Sequence, residues 1–240
     1  MRILACGAHP DDVEIACGAT LALAVRQGHV TAILDLTRGE MGSNGDPDMR
    51  AAEAGEAGRI LGVGERHQAG MPDGQLNARD EGQRRSAVEW LRRLAPDVLI
   101  IPARENRHPD HDQAHLLMKE AVFLAGLAHF EAEGEPTRPK AVYETMERRL
   151  FRPDFVVDVT SVRELKDEAL RAYRSQFIRE SGDAPTLIND PAFLAAIAAR
   201  DRYFGELAGC AWAEPFRALE LLRLEKLDCL LPAERKLLDD

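Results

Sequence analysis

Positive charge is in short supply: 31 Lys and Arg stand against 41 Asp and Glu, a formal net charge of −10. That balance excludes broad phosphate-backbone binding, which needs a clustered basic surface, so no nucleic-acid partner is expected. It leaves room for a small anionic substrate, since two or three local arginines suffice for one carboxylate. Long hydrophobic runs are also missing. None approaches the ~18 residues of a membrane span, and no membrane association is expected. The start, Met1-Arg2-Ile3-Leu4-Ala5-Cys6, lacks the long apolar stretch and cleavage site of a secretory signal. Cysteine is sparse as well. Cys6, Cys17, Cys210 and Cys229 are widely spaced in apolar stretches, so they read as reduced core residues of a cytoplasmic protein. Internal repeats, low-complexity tracts and linkers are absent, which points to one domain over residues 1–240.

What remains is an ordinary globular composition, 45% hydrophobic and 30% charged, with strand and helix patterns alternating through the first half. Arg2 to Ala8 is an apolar run of strand length, and Val13 to Gln27 has helical spacing and ends at Gly28. His29 to Thr37 reads as a second strand, followed by a Gly-rich loop from Arg38 to Asp48. Met49 to Leu61 and Glu81 to Leu94 read as helices, Asp97 to Pro102 as a buried strand, and Asp110 to Ala125 as a helix. Farther on, Lys140 to Met146 and Phe155 to Val159 read as strands, with helices over Val162 to Arg179 and Pro191 to Leu207. The expectation is an α/β fold: a Rossmann-like, mostly parallel sheet with helices on both faces. No Gly-x-Gly-x-x-Gly follows the first strand, so a dinucleotide site is not expected.

Two segments after predicted strands are dense in metal-ligand types: Ala8-His9-Pro10-Asp11-Asp12 and Arg107-His108-Pro109-Asp110-His111. Either one alone reads rather as a turn with an Asp helix cap. Together, at the same edge of a parallel sheet, they read as a metal site. One His and one Asp from the first loop plus one His from the second would supply the three protein ligands of a catalytic zinc, with a position left for water. Asp11, beside Asp12, would then stand where a general base is required. His108 would donate a proton across the site, held by Asp110 through its other ring nitrogen. His29, His67, His115 and His129 have no comparable partners and read as surface or helix residues. The reaction class implied is metal-assisted hydrolysis. A nucleotide-binding or structural α/β module with capped turns is the alternative from outside enzymology.

On these residues the sequence resembles the LmbE-like (PIG-L) family of zinc-dependent N-acetylglucosamine deacetylases. The resemblance continues through Cys17-Gly18-Ala19-Thr20, Leu36-Thr37-Arg38-Gly39-Glu40-Met41-Gly42 and Arg50. Met71-Pro72-Asp73-Gly74, Asn106-Arg107-His108, Ala172 to Phe177 and Arg202-Tyr203-Phe204-Gly205 are similar to segments of its bacillithiol-biosynthesis branch, whose members deacetylate N-acetylglucosaminyl L-malate. The resemblance implies zinc, or another divalent transition metal, on His9, Asp12 and His111. It implies Asp11 as base, His108 as oxyanion stabiliser, and Arg50, Arg107 and Tyr203 as substrate contacts, the two arginines on the malate. It also implies a trimer or a hexamer built from trimers. Ala19 departs from the family pattern with an effect on packing only, whereas Asp46-Pro47 alter the Gly-rich loop, so that loop is where substrate contacts would differ. Another amide of the same family, such as a thiol conjugate or a different N-acetylglucosamine derivative, is the alternative substrate.

Overall fold

The computed structural model describes residues 1–104 and 106–223. In chain order it runs β1 (Arg2–Gly7), α1 (Asp12–Arg26), β2 (Val30–Asp35), α2 (Pro47–Leu61), β3 (Glu65–Gln68), α3 (Glu81–Leu94), β4 (Val98–Pro102) and α4 (Pro109–Ala125). Then come β5 (Ala141–Thr145), β6 (Phe155–Asp158), α5 (Arg163–Ala172), the single turn α6 (Arg174–Phe177), α7 (Pro191–Ala208) and β7 (Ala213–Ala218). The strands form one sheet in the order β3-β2-β1-β4-β5-β7-β6. β1 to β5 are all parallel, and β7 runs antiparallel to both its neighbours. The expected mostly parallel α/β architecture is therefore what the chain adopts.

Period-two alternation sends neighbouring strand residues to opposite faces. Leu4, Cys6, Leu34, Leu99 and Ile101 pack against Leu91 of α3 and Leu117 of α4. Ile3, Ala5, Ile33 and Ile100 pack against Val13 and Leu21 of α1 on the other face. Each large aliphatic side chain so buried contributes roughly 1.5–3 kcal/mol, so the central strands are the rigid base of the molecule. Cys6 and Cys17 are buried and Cys210 half-buried, all unpaired. Cys229 lies outside the described residues. Among the described residues no helix is long and apolar enough to cross a membrane.

Four elements differ from the sequence reading. β3 and β7 are strands that no apolar run announces. β3 is the polar edge Glu65-Arg66-His67-Gln68, and β7 contains Pro215, tolerated because the ladder to β5 stops at Phe216. The helix expected over Val162 to Arg179 breaks at Tyr173, whose φ of −80° and ψ of 66° are not helical. α2 starts two residues early, at Pro47, because the Asp46 carboxylate caps it by accepting from the Asp48 and Met49 amides at 2.9 and 2.8 Å.

Candidate metal centre and active site

β1 and β4 are neighbours at the point where the strand order reverses, with β2 outward on one side and β5 on the other. Open α/β sheets bind ligands at that crevice, off the carboxyl ends of the strands. The loops after β1 and β4 both open there, and the turn after β1 is tight. A Cβ on Gly7 would come 3.0 Å from the Asp12 Cβ and 3.1 Å from the His9 carbonyl oxygen, so glycine is what fits. Asp11 then takes a φ of 108°, a conformation that L side chains rarely adopt. Such strain costs on the order of 1–3 kcal/mol and gathers at functional sites. Here it accompanies an Asp11 carboxylate that makes no hydrogen bond to the amides of α1 and lines the crevice.

Three side-chain atoms meet at the centre. His9 Nδ1 lies 3.4 Å from Asp12 Oδ2, His111 Nε2 lies 3.3 Å from the same oxygen, and the two ring nitrogens are 3.3 Å apart. Two ligands at ~2.0–2.1 Å from a tetrahedral ion stand about 3.3–3.4 Å from each other, so this triangle has the dimensions of one face of a zinc site. The outer ring nitrogens are also occupied as such a site requires. His9 Nε2 meets Asp73 Oδ1 at 3.0 Å, and His111 Nδ1 meets the Glu147 carboxylate at 2.9 and 3.0 Å. A carboxylate on the far nitrogen holds the near nitrogen as a free donor towards an ion. Burial works against charge on both rings, but it is outweighed. Asp110, Asp12 and Asp73 raise His9 well above its ordinary pKa, and Asp12 and Glu147 raise His111 to about 9. The pocket is thus built to hold positive charge, which a divalent ion would supply in place of the two protons. By geometry and by charge, the donor set fits a metal.

Asp11 and His108 flank this triangle. Burial pushes the Asp11 carboxyl up to about 7, opposed by the Arg50 guanidinium and reinforced by Asp12. The His108 ring stands edge-on to His9 with centroids 4.7 Å apart. Its Nδ1 accepts the backbone N–H of Asp110 at 3.2 Å. Burial, then His9 and His111, lower its pKa, and a neutral ring that accepts at Nδ1 carries its proton on Nε2. The expected contact from the Asp110 carboxylate to His108 is replaced by this backbone one. The carboxylate instead accepts the amides of Gly74 (2.7 Å) and Leu76 (3.3 Å) and stands 3.5 Å from His9 Nε2. The reason is α4 itself: its first turn points the Asp110 amide back at His108, its N-cap, and the carboxylate towards the loop of Asp73.

The structure brings His9, Asp11, Asp12, His108, Asp110 and His111 together. Arg50 and Arg107 line the same cavity, whose volume is about 920 Å³. The two arginines differ in kind. Arg107 is exposed, whereas the buried Arg50 donates to the Gly39 and Pro10 carbonyls at 2.8 Å each and meets Asp11 Oδ2 at 3.3 Å. Tyr203 is 55% exposed on α7 and is not among the lining residues. Asp73 and Glu147 carry the outer shell without having been singled out in sequence as site residues. Glu147 follows the end of β5, a third strand-end position on the same edge, and that was the available signal. The mouth is walled by the Gly-rich loop and by residues 186–188. Asn44 joins these walls: its amide donates to the Ala184 carbonyl at 3.0 Å and accepts the Ala184 N–H at 2.9 Å, while Gln176 donates to the Asn44 carbonyl at 2.8 Å.

The donor set at this sheet edge is that of a metal-dependent enzyme. Residues 4–122 match the PIG-L family, described as GlcNAc-PI de-N-acetylase. The chain is 30% identical over 234 residues to the diacetylchitobiose deacetylase of Thermococcus kodakarensis, covering 90% of this chain and 82% of that protein. It is 31% identical over 240 residues to 1D-myo-inositol 2-acetamido-2-deoxy-alpha-D-glucopyranoside deacetylase 2 of Saccharopolyspora erythraea, covering 78% and 88%. Among solved structures, the conserved protein TT1542 from Thermus thermophilus superposes with a TM-score of 0.85 at 41% identity, covering 93% and 97%. The chain belongs to the PIG-L family and is a deacetylase.

Proposed function

We propose that the protein is a zinc-dependent deacetylase of N-acetylglucosaminyl L-malate, releasing acetate and glucosaminyl-malate. The observation that carries the reading is the triangle of His9 Nδ1, Asp12 Oδ2 and His111 Nε2, with Asp11 and His108 beside it. Zinc held there would supply a Lewis acid for the acetyl carbonyl and for the attacking water. Asp11 takes a proton from that water as its oxygen bonds to the carbonyl carbon. His108 donates an Nε2–H hydrogen bond to the oxygen that gains charge. As the carbon–nitrogen bond breaks, the proton held by Asp11 goes to the glucosamine nitrogen, and the second proton of the water follows it, so the products are the protonated amine and acetate. Arg50 keeps the base in place: its bonds to the Pro10 carbonyl and to Asp11 hold the strained residue from both sides.

An acidic aglycone is supported by the cations on the cavity wall. Arg107 is exposed beside His108, and Arg148, which also lines the cavity, lies over the Phe193 ring at 5.4 Å. A guanidinium offers a carboxylate two parallel donors, and in a chain of net charge −10 such local cations are where a malate would be held. The relatives named above favour a second reading, because chitobiose and inositol are neutral. Acetate release should be compared for N-acetylglucosaminyl-malate, its inositol counterpart, diacetylchitobiose and free N-acetylglucosamine. A kcat/KM on the malate compound no higher than on the neutral ones would remove the malate assignment and leave the deacetylase. Metal analysis of the same preparation tests the zinc, and light scattering tests the trimer or hexamer proposed with it.

A further inference from the structure

α1 is broken at Cys17, where φ is −147° and ψ is 22°. In an unbroken helix the Ala19 N–H would donate to the Ile15 carbonyl. Here each half of that bond goes to a charged group from far along the chain. The Glu214 carboxylate accepts the Ala19 and Thr20 amides at 3.2 and 2.7 Å and the Thr20 hydroxyl at 2.6 Å. The Ile15 carbonyl accepts from Arg200 Nη2 at 2.9 Å. Behind them lies a buried ion network: Lys166 bridges Glu214 at 2.6 Å and Asp201 at 2.9 Å, and Asp201 also takes Arg163 and Arg200. Replacing buried ions of this kind by apolar residues is often neutral or stabilising, so stability alone does not account for them.

The other face of Arg200 supplies an account. Its Nη1 donates to the carbonyls of Met146 and, at 2.7 Å, of Glu147. One guanidinium therefore grips the first segment of α1, three residues past Asp12, and the backbone of the residue whose carboxylate holds His111 Nδ1. The break at Cys17 frees the Ile15 carbonyl for this grip and separates the segment bearing Asp12 from the rest of α1. We propose that Arg200 is a positioning residue for the metal centre, setting Glu147 and the Asp12 segment in register and, through them, the spacing of His111 and Asp12.

This rests on the metal reading of the site, and the test separates the two. Zinc affinity is measured by chelator competition on the full-length protein, and the visible spectrum is recorded with cobalt(II) in place of zinc. Arg200→Lys and Arg200→Met should each weaken zinc binding several-fold, up to the ~10–100-fold that follows loss of a ligand's own hydrogen-bond partner, and should alter the cobalt spectrum. Asp201 keeps Arg163 and Lys166 in these variants, so no buried carboxylate is orphaned, and Arg200→Lys also keeps the charge should Arg200→Met fail to fold. Arg163→Met breaks the same ion network without touching Ile15 or Glu147; it should lower Tm and retain wild-type affinity and spectrum. Combining Arg200→Lys with Glu147→Gln should cost less than the product of the two single losses, because both act on one contact. Wild-type affinity and spectrum in Arg200→Lys, equal metal loss in Arg163→Met, or fully multiplicative losses in the double variant would each overturn the proposal. A wild-type protein that binds no zinc would instead remove the metal reading itself.

Discussion

Replacing Asp11 by Asn exchanges one carboxylate oxygen for an amide and leaves the shape of the residue intact. Asn tolerates positive φ as well as any residue but glycine, so the turn at φ 108° should persist. Its amide oxygen can still accept from Arg50, now 3.3 Å away. What is lost is the capacity to take a proton. General-base catalysis is worth ~10²–10⁴-fold, about 2.7–5.4 kcal/mol of barrier, and the variant should lose kcat by that factor. Metal content should stay at the wild-type level, because the triangle of His9, Asp12 and His111 does not include Asp11. The metal-free fold should respond in the opposite sense. Burial raises the Asp11 carboxyl to about 7. An acid raised on folding contributes its stability while protonated and loses it as pH climbs through the folded value. Metal-free wild type should therefore lose ground to the Asn variant as pH rises from the ordinary carboxylate range to about 7, with a constant gap above that and a closing one on acidification. The assays are acetate release on metal-replete protein, metal analysis, and thermal melts of chelator-treated protein across that range. Near-wild-type kcat with full metal would refute the base assignment. Activity lost in proportion to metal would instead make Asp11 part of the metal's support.

Arg50→Ala should lower kcat on every substrate alike, since it releases the Pro10 and Gly39 carbonyls and Asp11, whereas Arg107→Ala should lower kcat/KM about 10–100-fold only on substrates bearing a carboxylate. Parallel losses in both variants on acidic and neutral substrates would contradict that division. Glu147→Gln should weaken zinc roughly 10–100-fold in chelator competition while circular dichroism stays unchanged, because His111 loses its carboxylate partner. Asp46→Ala should cost about 1 kcal/mol in denaturant unfolding by uncapping α2; an unchanged midpoint would mean the cap is dispensable.

Much of this site was legible before folding because its parts are short and local. His9 to Asp12 and His108 to His111 each occupy one turn after an apolar strand, so type and spacing could be read within a few residues. Elements defined by distant partners were not legible. β3 is four polar residues whose strand character comes from pairing with β2, and β7 carries a proline that reads as a break until its place beside β5 is known. Glu147 heads the run Glu147-Arg148-Arg149, which reads as a solvated charge cluster; only the fold turns its carboxylate onto His111. The same holds for the break in α1, whose cause at Glu214 is 195 residues away from Ala19. Asp110 shows the finer limit: its proximity to His108 was readable, but whether amide or carboxylate made the contact depended on the pitch of α4.

Because Asn44 bonds both amide and carbonyl of Ala184, the Gly-rich loop and the segment before α7 behave as one replaceable part. Neither contributes an atom to the triangle of His9, Asp12 and His111. The two walls can therefore be engineered as a matched pair so long as Gly39, Glu40 and Met41 are kept, because these hold Arg50 and Asp73 beside the metal centre. Exchanging one alone would leave a clasp with half its fastening, so a chimera carrying a single foreign wall should lose the Asn44–Ala184 bonds and bind substrate more weakly than either parent.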